Sequence, residues 1–366
     1  MGALSLLNLA LKEGPNIRVS PNFCKRVRFR KSDCQRCLEI CPENAILLTP
    51  GPSIRGGCSG CCLCQRACPT EVFQSELQTD GSLLNHVRSL PDKRTISIRC
   101  HRTEDPSGHF IPVFCLGSIS ENILLGLALS GFAEIQCIKG ICSRCRFAEA
   151  EALLNRSIMT TRVLLENLGL GDFPVRLMEK PKKGQSILTR REIFSRISSE
   201  AKNRAVPFLR QWSDPSRDHS QREKDKWIPL RRRLLRSLLK QRGWGNSTMA
   251  QHGPEFPWGR IRIDEKNCSA CGTCTALCPT GAISKKFENN HFSFYFNGSL
   301  CTNCLLCREA CPVNALDFEE EFDLRDLVRD RAEGVARVKL ISCFRCGGTI
   351  PSGKSEFCPT CQKRQG

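Results

Sequence analysis

The chain has 366 residues, 26 of them cysteine, and a formal net charge of +18. Cysteines grouped as Cys-x-x-Cys pairs in so long a chain point to metal or cluster sites rather than a disulfide scaffold, and thiolate ligands call for a reducing compartment. The charge counts every cysteine as a neutral thiol. A cubane held by four thiolates carries about −2, so four of them would lower the net charge to about +10. A further [2Fe–2S] site and a four-thiolate zinc site would bring it to about +6, which makes nucleic acid an unfavoured partner.

Ala3–Leu11 is apolar but has neither a basic n-region before it nor a small-residue cleavage site after it. The greasiest stretch, Ile123–Phe132, is too short to span a bilayer and contains Gly126 and Gly131. A cytoplasmic protein without a membrane span is therefore expected, with peripheral membrane contact left open.

Four cysteine blocks share one repeat, Cys-Pro-x-x-small-apolar, at Cys41, Cys68, Cys278 and Cys311. Two copies lie toward each end of the chain. The expected architecture is a multidomain α+β protein of five parts. Ferredoxin-like modules at 1–78 and 257–318 flank an α/β domain at 79–170 and a basic helical insertion at 171–256. A helix and a small cysteine-bearing tail occupy 319–366.

In the first module, Cys58-x2-Cys61-x2-Cys64-x3-Cys68-Pro69 is a complete run. The run before it, Cys34-x2-Cys37-x3-Cys41-Pro42, lacks its first cysteine, and Cys24 could supply the missing ligand from a longer loop. A [3Fe–4S] or empty site is the alternative there. Cys62 reads as a buried bystander, with substitution for a neighbour as its other reading.

In the central domain, Thr95–Ile98, Ile111–Phe114 and Glu134–Ile138 read as short strands, and Asn122–Ser130 as a helix. Five cysteines lie here: Cys100, Cys115, Cys137, Cys142 and Cys145. Thiolates at several strand ends can converge on one soft-metal site, whereas structural zinc or buried reduced thiols are the plainer readings. His101 reads as a hydrogen-bonding neighbour. Cys115-Leu-Gly117 and the glycine-led strand ending in Cys137-x4-Cys142 resemble the iron–sulfur delta subunit of hydrogenase–heterodisulfide reductase complexes. That family opens with a cysteine pair, whereas here Cys100 is followed by His101. The resemblance covers roughly residues 95–170. It implies a [2Fe–2S] cluster between a hydrogenase or formate dehydrogenase and a flavoprotein of the disulfide-reductase kind.

The insertion carries a capping box, Thr189-Arg-Arg-Glu192, and a leucine stripe at Leu230, Leu234, Leu235, Leu238 and Leu239. The stripe fits packing on its own domain first, then docking to a partner subunit, with contact to a membrane surface or to nucleic acid as the lesser readings.

The C-terminal module is the clearest. Cys268-x2-Cys271-x2-Cys274-x3-Cys278-Pro279 precedes Cys301-x2-Cys304-x2-Cys307-x3-Cys311-Pro312, with strands expected at Arg260–Ile263 and Phe292–Phe296. The pattern resembles bacterial-type dicluster ferredoxins, in which the fourth cysteine of each run ligates the other cluster. The resemblance implies two pairings here: Cys268, Cys271, Cys274 with Cys311, and Cys301, Cys304, Cys307 with Cys278. Carried to the first module, it implies Cys58, Cys61, Cys64 with Cys41, and Cys24, Cys34, Cys37 with Cys68.

After a helix-prone stretch at Glu319–Glu333, Cys343-x2-Cys346 and Cys358-x2-Cys361 resemble a zinc ribbon, with rubredoxin-like iron as the other reading. No nucleophile–base pair, phosphate loop or dinucleotide fingerprint is visible. The expected cofactors are four [4Fe–4S] clusters, one zinc ion and a candidate [2Fe–2S] cluster. The expected function is a non-catalytic electron-transfer subunit of a hydrogenase-, formate dehydrogenase- or heterodisulfide reductase-like oxidoreductase. The alternatives are a subunit that completes an oxidoreductase active site with the central cysteines, and a binding or assembly protein stabilised by clusters and zinc.

Overall fold

The computed structural model describes residues 17–75, 79–88, 94–103, 110–180, 226–242, 244, 248–253, 255–353 and 355–363. The apolar N-terminal stretch and the capping box at Thr189 lie outside the described residues. The chain divides into two compact units. The first comprises 1–24, 35–224 and 233–247, and the second 25–34, 225–232 and 248–366.

The first unit holds a small N-terminal module and the central α/β domain. In the module, Ile17–Val19 pairs antiparallel with Phe73–Ser75, so that the ends of the module meet. A hairpin joins Ile46–Leu47 to Ser53–Ile54, and short helices form at Arg36–Glu39 and Leu63–Ala67. The central sheet has four parallel strands in the order Phe110–Val113, Thr95–Cys100, Glu134–Lys139, Val175–Glu179. Its strands read as apolar runs because helices cover parallel sheets. Ile96, Ile98, Ile111, Val113, Ile135 and Ile138 are all buried. The fourth strand lies beyond residue 170, in the stretch expected to be basic insertion. No apolar run announced it, since within it only Val175 is buried.

The helix expected at 122–130 forms at Glu121–Leu129. Ser120 caps it, its Oγ accepting from the Asn122 N–H at 3.2 Å and donating to Asp80 at 2.5 Å. Gly126 lets the Asp80–Arg88 helix approach closely, because a Cβ there would lie 2.6 Å from a Leu84 methyl. A long helix at Ala150–Asn167 completes the cover.

In the second unit, Ile261–Ile263 pairs antiparallel with Leu316–Phe318, repeating the closure of the N-terminal module. A four-stranded sheet runs in the order Ile283–Glu288, His291–Phe296, Glu333–Ser342, Thr349–Pro351. The tail is thus sewn onto the ferredoxin hairpin, where Phe292 faces Val338 in register.

The stretch 319–333 is not the helix that its charges suggested. Glu321–Asp323 forms a strand against Met249–Gln251, and Leu324–Leu327 forms a single 3-10 turn. Phe322, Leu324 and Leu327 are fully buried, and their tertiary packing overrides the helical propensity of the intervening charges. The leucine stripe forms a helix at Leu230–Lys240, with Leu235, Leu238 and Leu239 at 0–2% exposure. Leu230 and Leu234 are half-buried, so three of the five leucines are core, which favours internal packing over a docking face. Among the described residues, no helix is long and apolar enough to cross a membrane.

Candidate iron–sulfur and metal sites

The three complete cysteine runs share one backbone device. In each, the second residue after the first cysteine and the residue after the second cysteine take a positive φ. These are Gly60 and Cys62, Ala270 and Gly272, and Asn303 and Leu305. The left-handed turns curl the loop so that successive N–H groups point inward. Cys58 Sγ accepts from the Gly60 N–H, Cys268 Sγ from Ala270 and Cys301 Sγ from Asn303, each at 3.4 Å. Non-glycine residues there are strained, and such strain is characteristic of functional loops. Cys62 occupies the same left-handed position as Gly272 and Leu305, and its thiol donates to the Gly60 carbonyl at 3.4 Å.

The Cys-Pro repeat has its own signature. Asn44, Glu71, Gly281 and Asn314, each third after the cysteine, all take a positive φ. The turn sends the chain back over the sulfur, where Cys41 Sγ accepts from Ala45 at 3.3 Å and Cys311 Sγ from Ala315 at 3.2 Å. Between Cys34 and Cys41 no residue has a positive φ, so the incomplete run lacks the curled loop of the other three.

The thiols gather across runs in the C-terminal module. Cys268, Cys271, Cys274 and Cys311 line one cavity. Burial, then Cys268 and Cys271, with Cys311 among the further contributors, push the Cys274 thiol up to about 12. Burial likewise drives Cys307 well above its ordinary value, followed by the charges of Cys304, Cys301 and Cys278. Burial tends to raise the Cys271 thiol, but the Thr273 and Ser269 hydroxyls outweigh it and hold it below the ordinary value. Without a cation these raised values keep the thiols neutral; as thiolate ligands they would pay for burial and repel one another. A core of iron ions relieves both penalties at once, so this donor set fits a cluster.

In the N-terminal module, burial raises Cys61, and Cys58 and Cys41 add to the rise. Burial drives Cys64 well up, and Cys61, Cys62, Cys58 and Cys41 follow. Cys24, Cys37 and Cys68 border the apolar cluster of Ile46, Val72 and Phe73, and Cys34 belongs to the second unit.

In the central domain, one cavity is lined by Cys100, Cys115, Cys142 and Cys145. It opens at the carboxyl ends of the parallel strands, where α/β sheets hold ligands. Cys100 ends one strand, Cys115 follows the next, and Cys142 and Cys145 follow the third. Cys137 is not among the lining residues. It sits within the third strand at 0% exposure, and burial alone pushes its thiol up to about 12. Its partners in register are Ile98 and Leu177.

His101 shares a hydrogen bond through Nδ1 with the Phe114 carbonyl at 2.5 Å, and its ring stacks on Phe114 at 4.7 Å. Two glycines shape this cavity. A Cβ on Gly117 would lie 2.5 Å from the Ala150 carbonyl oxygen, and one on Gly140 would lie 2.9 Å from that of Arg102. Gly140 also donates its N–H to Cys100 Sγ at 3.4 Å. The sequence marked Gly117 within Cys-x-Gly, but Gly140 carried no comparable signal.

The central cavity adjoins the N-terminal module. Cys61, Leu63 and Ala67 pack in one apolar cluster with Phe147, Ala150 and Leu153, and Cys115 and Cys145 lie against it. The thiol of Cys115 is raised by burial first, with Cys100, Cys61 and Cys145 contributing.

In the tail, the sulfurs of Cys343, Cys346, Cys358 and Cys361 all lie within 4.8 Å of one another. Backbone N–H groups of Cys358 and Cys346 hold the Cys343 thiol below its ordinary value, Cys358 donating at 3.2 Å. Four close thiols with inward N–H groups fit a tetrahedral metal ion.

The 4Fe-4S dicluster domain family matches residues 260–312. The chain is 36% identical over 74 residues to pyruvate synthase subunit PorD of Methanocaldococcus jannaschii, 20% of this chain and 79% of that protein. It is 36% identical over 93 residues to polyferredoxin protein MvhB of Methanothermus fervidus, 25% of this chain and 21% of the relative. It is 33% identical over 81 residues to formate hydrogenlyase subunit 2 of Escherichia coli, 20% and 38% of the two lengths. The chain spans most of the first of these relatives and well under half of the other two.

Proposed function

Since this chain belongs to the 4Fe-4S dicluster ferredoxins, we propose that it relays single electrons within a larger oxidoreductase complex, without a substrate site of its own. One observation carries this reading. Across cysteine runs, Cys311 joins Cys268, Cys271 and Cys274 around one cavity, as crossed ligation requires. Clusters bound at such sites supply one-electron transfer. The chain's residues exclude water, donate N–H groups to the sulfurs and hold neighbouring sites close together.

The [4Fe–4S] sites of this reading are Cys268/Cys271/Cys274/Cys311, Cys301/Cys304/Cys307/Cys278 and Cys58/Cys61/Cys64/Cys41, and the sequence resemblance alone adds Cys24/Cys34/Cys37/Cys68 as a fourth. Cys100, Cys115, Cys142 and Cys145 form a fifth, [2Fe–2S] site, supported by their common cavity, and Cys137 is a core residue. Cys61 belongs to, and Cys115 borders, one apolar cluster, and this proximity supports direct exchange between the fifth site and the third. The tail cysteines hold structural zinc.

The partners are redox subunits of the hydrogenase, formate dehydrogenase or flavoprotein disulfide-reductase kind, in a reducing cytoplasm. Co-purification from the native host under anaerobic conditions tests the partner assignment. Recovery with a redox enzyme supports it, and recovery of the iron-loaded chain only as a free protein or with nucleic acid contradicts it.

A further inference from the structure

Cations reach the second thiol set of the C-terminal module through backbone carbonyls. Arg232 is 3% exposed, and its Nη2 donates to the carbonyls of Cys301 and Pro257. Lys226 Nζ donates to the carbonyls of Cys278 at 2.7 Å, Thr275 at 2.9 Å and Ala276 at 3.3 Å. Arg28 donates to the Leu277 and Ala276 carbonyls at 2.7 and 3.0 Å. Lys25 bears electrostatically on Cys304, but it also pairs with Glu309 at 2.5 Å.

The other set of the module is wetter. Cys271 is exposed, and Lys285, packed over Gly272, is exposed too.

A cluster gains one negative charge when it takes up an electron, with no bond made or broken. Burial opposes that gain, and a nearby cation favours it. A buried guanidinium is weakly screened, whereas an exposed lysine is well screened. We propose that Arg232 and Lys226 act as positioning residues that raise the reduction potential of the cluster held by Cys301, Cys304, Cys307 and Cys278. Both lie in the segment 225–232 within the basic insertion, which gives that insertion an electrostatic role in the relay.

This rests on the dicluster reading, and its test keeps the two apart. The full chain is purified anaerobically and titrated with dithionite under electron paramagnetic resonance, as wild type, Arg232→Met, Lys226→Met and Arg232→Lys. The Met variants are expected to keep their iron and to shift one C-terminal transition to more negative potential. Arg232→Lys, which keeps the charge, is expected to return most of the shift. The same titration in a Cys271→Ser background, which disturbs the other cluster, assigns the shifted transition. Met variants with full iron and unmoved potentials overturn the proposal, as does an equal shift of every transition. Should Arg232→Met lose iron, Lys226→Met decides alone, and an unmoved potential there overturns it. A wild-type chain without iron at these cysteines would instead sink the dicluster reading itself.

Discussion

Arg66 and Glu121 form an ion pair of 2.8 Å, with side chains only 9% and 4% exposed. Arg66 lies on the short helix that follows Cys61, and Glu121 opens the buried helix of the central domain. The guanidinium also donates to Ser157 Oγ at 2.9 Å, so one side chain ties the N-terminal module to two helices of its neighbour. Removing one partner strands a buried charge. Arg66→Ala is expected to destabilise the first unit by about 3–5 kcal/mol. The double variant Arg66→Met, Glu121→Leu is expected to recover much of that loss in denaturant unfolding.

Crossed ligation gives a selective loss. Cys311→Ala is expected to disrupt the cluster at Cys268, Cys271 and Cys274 and to spare the one at Cys301, Cys304 and Cys307. Spectra in which the Cys307 side is lost instead would contradict the pairing.

The central cysteines divide by position. Cys142→Ser is expected to remove the iron of the central site, because Cys142 lines the cavity. Cys137→Ala is expected to leave that iron in place while lowering stability, because its thiol is packed within the sheet. Iron analysis of the two variants in parallel checks this.

The C-terminal module was legible in the sequence because ligand spacing is local. A loop that wraps a cubane needs its cysteines two or three residues apart, and the Cys-Pro turn recurs at a fixed offset. The central site was legible only in part. Cys137-x4-Cys142 looks like a ligand pair, yet the strand runs through Lys139 and leaves Cys137 in the core, while Cys142 lies beyond the strand end. Where a strand stops is decided by its neighbours in the sheet. The helix expected at 319–333 failed for a similar reason, since Met249–Gln251 offers Phe322 a strand partner from far along the chain. Nothing local in the basic insertion marked Arg232 as buried against the Cys301 loop.

The leucine stripe yields a stability prediction. Leu235 is 1% exposed, so Leu235→Asp places a carboxyl group in the core that must be buried neutral or unpaired, and is expected to cost at least about 2–7 kcal/mol in the free protein. A free protein of unchanged stability would return the stripe to the role of a docking face.

In the tail, Cys358→Ser with Cys361→Ser is expected to release one zinc per chain and to loosen residues 340–366 in hydrogen exchange, since metal binding there is coupled to folding. The potentials of the clusters should hardly move. Bound iron with a reversible one-electron transition in the tail would favour the rubredoxin-like reading.

Redox titration of the anaerobically purified full chain, with iron and spin counted together, is the most direct test of electron relay. The expected result is about sixteen irons in cubanes, plus about two in the central site, with low-potential transitions that reverse fully on reoxidation. A chain loaded with iron whose clusters neither accept nor return electrons would contradict the relay and leave the clusters a structural role.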